Sequence, residues 1–331
     1  MNDDQITELA RLLPAGPEPD LSADRLQMLK ERLMLEYRQE TRDSRLTWPT
    51  RPRRRARRPV LAALAGGAVL AGFGATALAL VLSSGGPAPA SPAAVELLAK
   101  IASTAARQPA PAVSNLEFMY IKSEVSYAVY NNGSQTPTIE PLHERQIWMP
   151  VANVCDWGLV IEQGQRTSLA PSAGSGPSLA VKCGPGSLDN ATYRLLQSLP
   201  TDPRTLLSQI YGFDQANGEG AALGSDGEAF VTIGDLIRET IVPPSTAAAL
   251  YRAAALIPGV TLISRVTTVE GRPGIAIAWT NSQSRYEWIF DPTTLQYLGE
   301  RDYDLSTGRP VVTGNAAVLQ RAFVSKAGQL P

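Results

Sequence analysis

Histidine and cysteine are nearly missing from this chain: its 331 residues hold one His and two Cys. That scarcity removes whole classes of chemistry. A zinc centre needs about three or four His, Cys or carboxylate ligands, and His143, Cys155 and Cys183 are all the nitrogen and sulfur ligands there are. No metal or cofactor is therefore expected. A Ser-His-Asp triad would have to use His143, yet no G-x-S-x-G elbow or S-x-x-K pattern accompanies it. Alone on an expected strand, His143 reads as a surface or packing residue. A phosphate-cradling P-loop and a G-x-G-x-x-G turn are absent too. Asp and Glu are scattered, and nothing selects a glycosidase-like pair among them. Arg238-Glu239 and Glu300-Arg301-Asp302 read most simply as surface or cross-strand ion pairs. No catalytic residue is assigned, and the chain is not expected to be an enzyme.

Charge is missing from one long stretch. Residues 59–83, PVLAALAGGAVLAGFGATALALVLS, are 25 residues without a charged side chain. About 20 apolar residues cross a hydrocarbon core ~30 Å thick as a helix, the one form in which an isolated span satisfies its own backbone. Arg51, Arg53, Arg54, Arg55, Arg57 and Arg58 precede this run, and the next Lys or Arg after it is Lys100. The positive-inside rule then places residues 1–58 in the cytoplasm and the rest outside. The run starts too far along the chain, and is too long, for a typical cleaved signal peptide, although SSGGPAPASPA could mimic a cleavage site. The arginines read as an orientation signal touching anionic head groups. A nucleic-acid reading lacks the aromatic interleaving and motifs that would support it.

The cytoplasmic segment carries two expected helices. In the first, about 4–13, Ile6, Leu9, Leu12 and Leu13 share a face. PAGPEPD breaks it. Ser22 is a good N-cap for the second, about 23–40, where Leu26, Leu29, Leu33 and Tyr37 recur at helical spacing. Helices this short are marginal alone in water. Their stripe is either the inside of a weakly folded hairpin or a docking face for a cytoplasmic protein.

Residues 84–92 read as a Pro/Gly/Ser linker, and 93–331 as one extracytoplasmic domain. A helix is expected over about 93–107, then strands over about 115–162 with an Asn131–Gly133 turn, then a Gly/Ser/Pro loop at about 171–178. LPTDPRTLLSQIYG, GEAFVTIGDLIRETI and PSTAAALYRAAALIPG predict three helices, the first with Pro203 at its opening position. VTLISRVTTV and IAIAWT predict a hairpin, RYEWIF and LQYLGERDYDL another, and 311–324 a further strand or helix. The fold class is α+β, an antiparallel sheet packed with helices. Phe118, Tyr120, Trp148, Trp157, Trp279 and Trp288 fall on strands, most of them expected in the core. Cys155 and Cys183 lie on the oxidising side, where an even count favours a disulfide over two free thiols. Closing that loop stabilises by about 3–4 kcal/mol in the chain-entropy model.

LPTDPRTLL, FVTIGDLIRETIVPPSTAAALYRAAALIPGV and YEWIFDPTTLQYLGER resemble an uncharacterised family of actinobacterial single-pass membrane proteins, and the likeness extends over most of the chain. Its members are often encoded beside extracytoplasmic-function sigma factors, which implies an anti-sigma-like role and a sigma factor as cytoplasmic partner. The architecture is similar to membrane-spanning anti-sigma factors. It departs from their zinc pattern, H-x-x-x-C-x-x-C, because residues 1–58 hold neither His nor Cys. Docking would then be zinc-free, through Leu26, Leu29 and Leu33. The outer domain's order of elements resembles the half-barrel of lipoprotein-carrier and sigma-regulator sensor domains. The alternative function is an extracytoplasmic module binding lipid, a cell-wall fragment or peptide. An envelope enzyme is the least supported reading.

Overall fold

Proline and capping side chains set where the helices begin. The computed structural model describes residues 88–129, 137–169, 183–217 and 223–331, all within the unit Leu80–Pro331. Helix α1 (Pro92–Ala106) starts with Pro92 in its first turn and with the Ser91 hydroxyl accepting the Ala94 N–H at 3.2 Å. Its buried residues Ala94, Leu97, Leu98, Ile101 and Ala102 follow the i, i+3, i+4 spacing of one apolar face. Helix α2 (Tyr193–Ser198) is capped by Thr192. Helix α3 (Pro203–Ala216) opens at the expected proline, with the Asp202 carboxylate accepting the Thr205 N–H at 2.9 Å. Helices α4 (Gly224–Glu239) and α5 (Pro244–Ala254) complete the set.

The strands form one antiparallel sheet. They are β1 (Phe118–Val129), β2 (Thr138–Ile139), β3 (His143–Pro150), β4 (Gly158–Glu162), β5 (Gln165–Leu169), β6 (Val260–Thr267), β7 (Pro273–Thr280), β8 (Ser284–Phe290), β9 (Tyr297–Asp304) and β10 (Val311–Val324). The order across the sheet is β5-β4-β3-β1-β10-β9-β8-β7-β6, with β2 pairing β1 beside that path. Two consecutive meanders are thus joined through the long β1–β10 pair. The expected α+β class is what the chain adopts. The tail at 311–324 is a strand, and the short elements β2, β5 and α2 are additions to the sequence reading.

The helices lie on one face of the sheet. Met119, Ile121, Ile147, Met149, Ile277, Trp279, Trp288 and Phe290 from that face join the helices' apolar residues in the main core. Helix α4 seats on two tryptophans through two glycines, two turns apart. A Cβ at Gly227 would meet the Trp279 ring at 2.5 Å, and one at Gly234 would meet Trp288 Nε1 at 2.5 Å. Phe230, between them, stacks on Trp288 with ring centroids 3.9 Å apart. The opposite face carries smaller clusters. One is Tyr120, Trp148 and Val324, beneath the C-terminal residues, where Trp148 Nε1 donates to the Gln329 carbonyl at 2.7 Å. Of the strand aromatics expected inside, Tyr120, Trp148, Trp279 and Trp288 are buried, and Trp157 is 57 % exposed.

Among the described residues no helix is long and apolar enough to cross a membrane. The expected span at 59–83, the helices before it, the Asn131–Gly133 turn and the loop at 171–178 lie outside those residues.

Candidate functional site

Cross-strand partners share a face, so the pairing register shows which side chains meet. One row across the helix-bearing face runs Tyr127, Gly314, Asp302, Tyr286, Trp279. The next runs His143, Val125, Ala316, Glu300, Trp288, Ile277. Helix α4 lies along these rows, and its Asp235, Arg238 and Glu239 follow the glycine that touches Trp288. A cavity of about 160 Å³ sits between helix and sheet, lined by Tyr127, Asp235, Arg238, Tyr286, Trp288, Glu300 and Asp302 among others. A hollow of about 10 Å³ adjoins it, sharing Tyr127 and Arg238 and reaching Arg145 and Glu239.

A chain of charges links these residues. The Arg238 guanidinium reaches Asp235 at 2.7 Å, Glu239 at 3.1 Å and Glu300 at 3.1 Å. Arg145 joins Glu239 at 3.4 Å to Glu162 at 2.7 Å. Glu162 then receives His143 Nε2 at 2.8 Å, while His143 Nδ1 faces the Pro141 carbonyl at 2.8 Å. Both ring nitrogens meet acceptors, and only the imidazolium, with two N–H groups, satisfies both. The sequence expectation of a packing or surface histidine thus becomes an ion-paired one. Arg238-Glu239 and Glu300-Arg301-Asp302 also need correction. Arg238, Glu300 and Asp302 gather at one part-buried cavity, whereas Arg301 lies on the opposite face, donating to Asn315 at 2.9 Å and to the Thr267 carbonyl at 2.5 Å.

Burial works against charge here, and neighbours decide the outcome. At Glu300 burial wins over the pull of Arg238 and, with repulsion from Asp302, Asp235 and Glu239, raises the carboxyl to about 8. Burial likewise raises Asp302 to about 7 against Arg238, with Asp235 and Glu287 adding to the rise. At Arg238 burial loses: Glu300, Glu239 and Asp235 hold the guanidinium charged well above its ordinary range. Burial opposes the charged His143 as well, but the Pro141 carbonyl and Glu162 outweigh it and raise its pKa. Two carboxyls that exchange protons near neutrality, in a cavity, mark a candidate functional site. Among the described residues no group of three His, Cys, Asp or Glu converges as a metal site.

The sequence-predicted disulfide is present. Cys155, between β3 and β4, and Cys183, between β5 and α2, are joined, with their Cα atoms 5.3 Å apart. The Asn153 side chain accepts the backbone N–H of Cys155 at 2.9 Å and of Gly184 at 3.1 Å, tying both arms together. The disulfide is remote in sequence from every cavity-lining residue. The docking residues Leu26, Leu29, Leu33 and Tyr37, and the orienting arginines Arg53, Arg54, Arg55, Arg57 and Arg58, lie outside the described residues. Tyr127, Arg145, Glu162, Asp235 and Tyr286 are site residues that sequence reasoning did not single out.

An open antiparallel sheet with helices on one face and a small charged cavity beneath one of them defines an α+β domain. No family model matches the chain, and no curated protein matches it. Among solved structures it is similar to the crystal structure of MucB, at 12 % identity, a TM-score of 0.26, and coverage of 73 % of this chain and 62 % of that one. A second crystal structure, MucB in complex with MucA(peri), matches at 14 % identity and a TM-score of 0.26, over 72 % of this chain and 57 % of that one. This chain therefore spans less than two thirds of either protein, and superpositions this loose carry no argument about function.

Proposed function

We propose that this chain is a single-pass membrane regulator, whose residues 1–58 dock a cytoplasmic partner while its outer α+β domain reads a signal from the envelope. One observation supports this reading above the rest: a 25-residue uncharged run divides an arginine-flanked amphipathic segment from a folded, disulfide-bonded domain with a polar cavity. The cavity gathers groups suited to recognising charge. The partner implied by the family resemblance is a sigma factor, held without zinc on the face of Leu26, Leu29, Leu33 and Tyr37. Arg53, Arg54, Arg55, Arg57 and Arg58 fix the orientation. The test is co-purification of cytoplasmic proteins with the full-length chain and with Leu29→Asp. A sigma factor recovered by the wild type and lost in a membrane-inserted variant supports the reading. Equal recovery by both moves the docking face elsewhere.

The alternative, a tethered binding module without a cytoplasmic partner, gains from the same cavity. At about 160 Å³, it is smaller than the ~300–1,000 Å³ of drug-sized sites. Its charged lining suits a small polar group better than an acyl chain.

A further inference from the structure

The cavity beneath α4 has more acidic than basic groups. Asp235, Glu300 and Asp302 line it, against Arg238 alone. That guanidinium is already shared among Asp235, Glu239 and Glu300. Asp302 makes no hydrogen bond or ion pair among the described residues, and its carboxyl opens on the cavity. A second polar group waits there. Trp288 is 2 % exposed and lines the same space, yet its indole N–H makes no hydrogen bond among the described residues. A buried tryptophan usually finds an acceptor for that group. The chain also makes room beside each of these two atoms. A Cβ on Gly314 would fall 2.6 Å from Asp302 Oδ2, and one on Gly234 would fall 2.5 Å from Trp288 Nε1.

An unpaired carboxyl, an unpaired N–H donor and the rings of Tyr127, Tyr286 and Trp288 form a complementary set. The carboxyl calls for a cationic donor, which aromatic faces also favour. The N–H calls for an acceptor. Among the described residues the carboxyls do not converge as a metal site, and the aromatic lining and the N–H donor suit an organic cation that carries an oxygen. The volume admits one such group with a few atoms beyond it.

We propose that this cavity binds a small amino-alcohol-type cation, its ammonium held by Asp302 and Glu300 and its neighbouring oxygen by the Trp288 indole N–H. The inference rests on reading the outer domain as a sensor, and it names the class of ligand sensed. The charged and titratable groups facing the site are Asp235, Arg238 and Glu239 from α4, with Glu228 of the same helix acting on Tyr286. The strands contribute Tyr127 of β1, Arg145 of β3 across the adjoining hollow, Tyr286 of β8, and Glu300 and Asp302 of β9. Glu287 acts on Asp302 through the sheet. A primary ammonium keeps its charge below ~10. Binding therefore displaces a proton from the carboxyl pair, and affinity rises as pH passes through about 7 and 8.

Calorimetry and thermal melts on the full-length chain in detergent, with ethanolamine, propylamine, 1-propanol and KCl at matched ionic strength, test this. Ethanolamine is expected to bind about tenfold more tightly at about pH 8 than at about pH 6. Propylamine, lacking the oxygen, binds more weakly, and 1-propanol not at all. Asp302→Asn, which keeps the side chain's shape, loses binding about tenfold or more. Trp288→Phe removes the N–H donor and brings ethanolamine down toward the level of propylamine. The proposal is overturned if neither amine shifts the melt beyond KCl, or if Asp302→Asn binds ethanolamine as the wild type does. Cytoplasmic co-purification is read separately, so loss of either result leaves the other standing.

Discussion

The two ends of the helix-bearing face are made by the same strands and obey opposite rules. At one end Phe290, Ile121 and Met149 point at the helices, and each is 7 % exposed or less. At the other end the same alternation presents Tyr127, Glu300 and Asp302. Helix α4 bridges the two: Phe230 and Gly234 serve the apolar end, while Asp235, Arg238 and Glu239 serve the polar one. A sheet face needs only apolar residues to hold a helix, so polar residues continued along it at the expense of ionisation point to a use other than stability. Natural proteins hold such groups at functional sites.

The comparison is broken most severely at the apolar end. Phe230→Ala removes a ring stacked on Trp288 and should destabilise by about 3–5 kcal/mol in urea unfolding. Gly234→Ala drives a methyl against Trp288 Nε1 and should cost about 1–3 kcal/mol. At the polar end, Arg238→Met leaves Asp235, Glu239 and Glu300 without their shared cation. Its cost should be about 1–3 kcal/mol at about pH 8, after allowance for solvent screening. It should shrink as pH falls and Glu300, at about 8, takes up its proton. The smallest expected effect is at His143. Its raised pKa means that its stabilisation is complete below its ordinary value of 6.5. That contribution is lost as pH rises through the higher folded value. His143→Gln should flatten that part of the pH–stability curve and leave the rest unchanged.

Much of the fold is legible along the chain. The second meander reads directly, because β7 and β8 are bounded by strong turns. One is the loop in which the Asp291 carboxylate accepts the N–H of Thr293 at 2.9 Å and of Thr294 at 2.8 Å. Pro203 and Pro244 mark helix starts by their missing N–H and fixed φ. The disulfide follows from compartment and count. The short elements β5 and α2 were not legible, since so few residues establish no periodicity. Nor was the cavity. Asp302, Gly314 and Tyr127 become neighbours only through strand register, and Asp235 joins them only because Gly234 lets α4 lie close. One signal was available: Glu300 and Asp302 sit at alternate positions of a strand and so share a face, although a bulge at the start of β9 breaks the alternation that would have placed that face relative to Tyr297.

The measurement that tests the central claim most directly compares unfolding free energies of the wild type and Asp302→Asn across pH. Burial holds Asp302 at about 7 against an ordinary 3.8. The unfolded chain then binds fewer protons than the folded one between those values, and stability falls as pH rises through them. The two curves should coincide in acid and diverge through neutrality, with the asparagine variant the more stable at about pH 8. A wild type at least as stable as the variant there would contradict this, and would make Asp302 part of the scaffold.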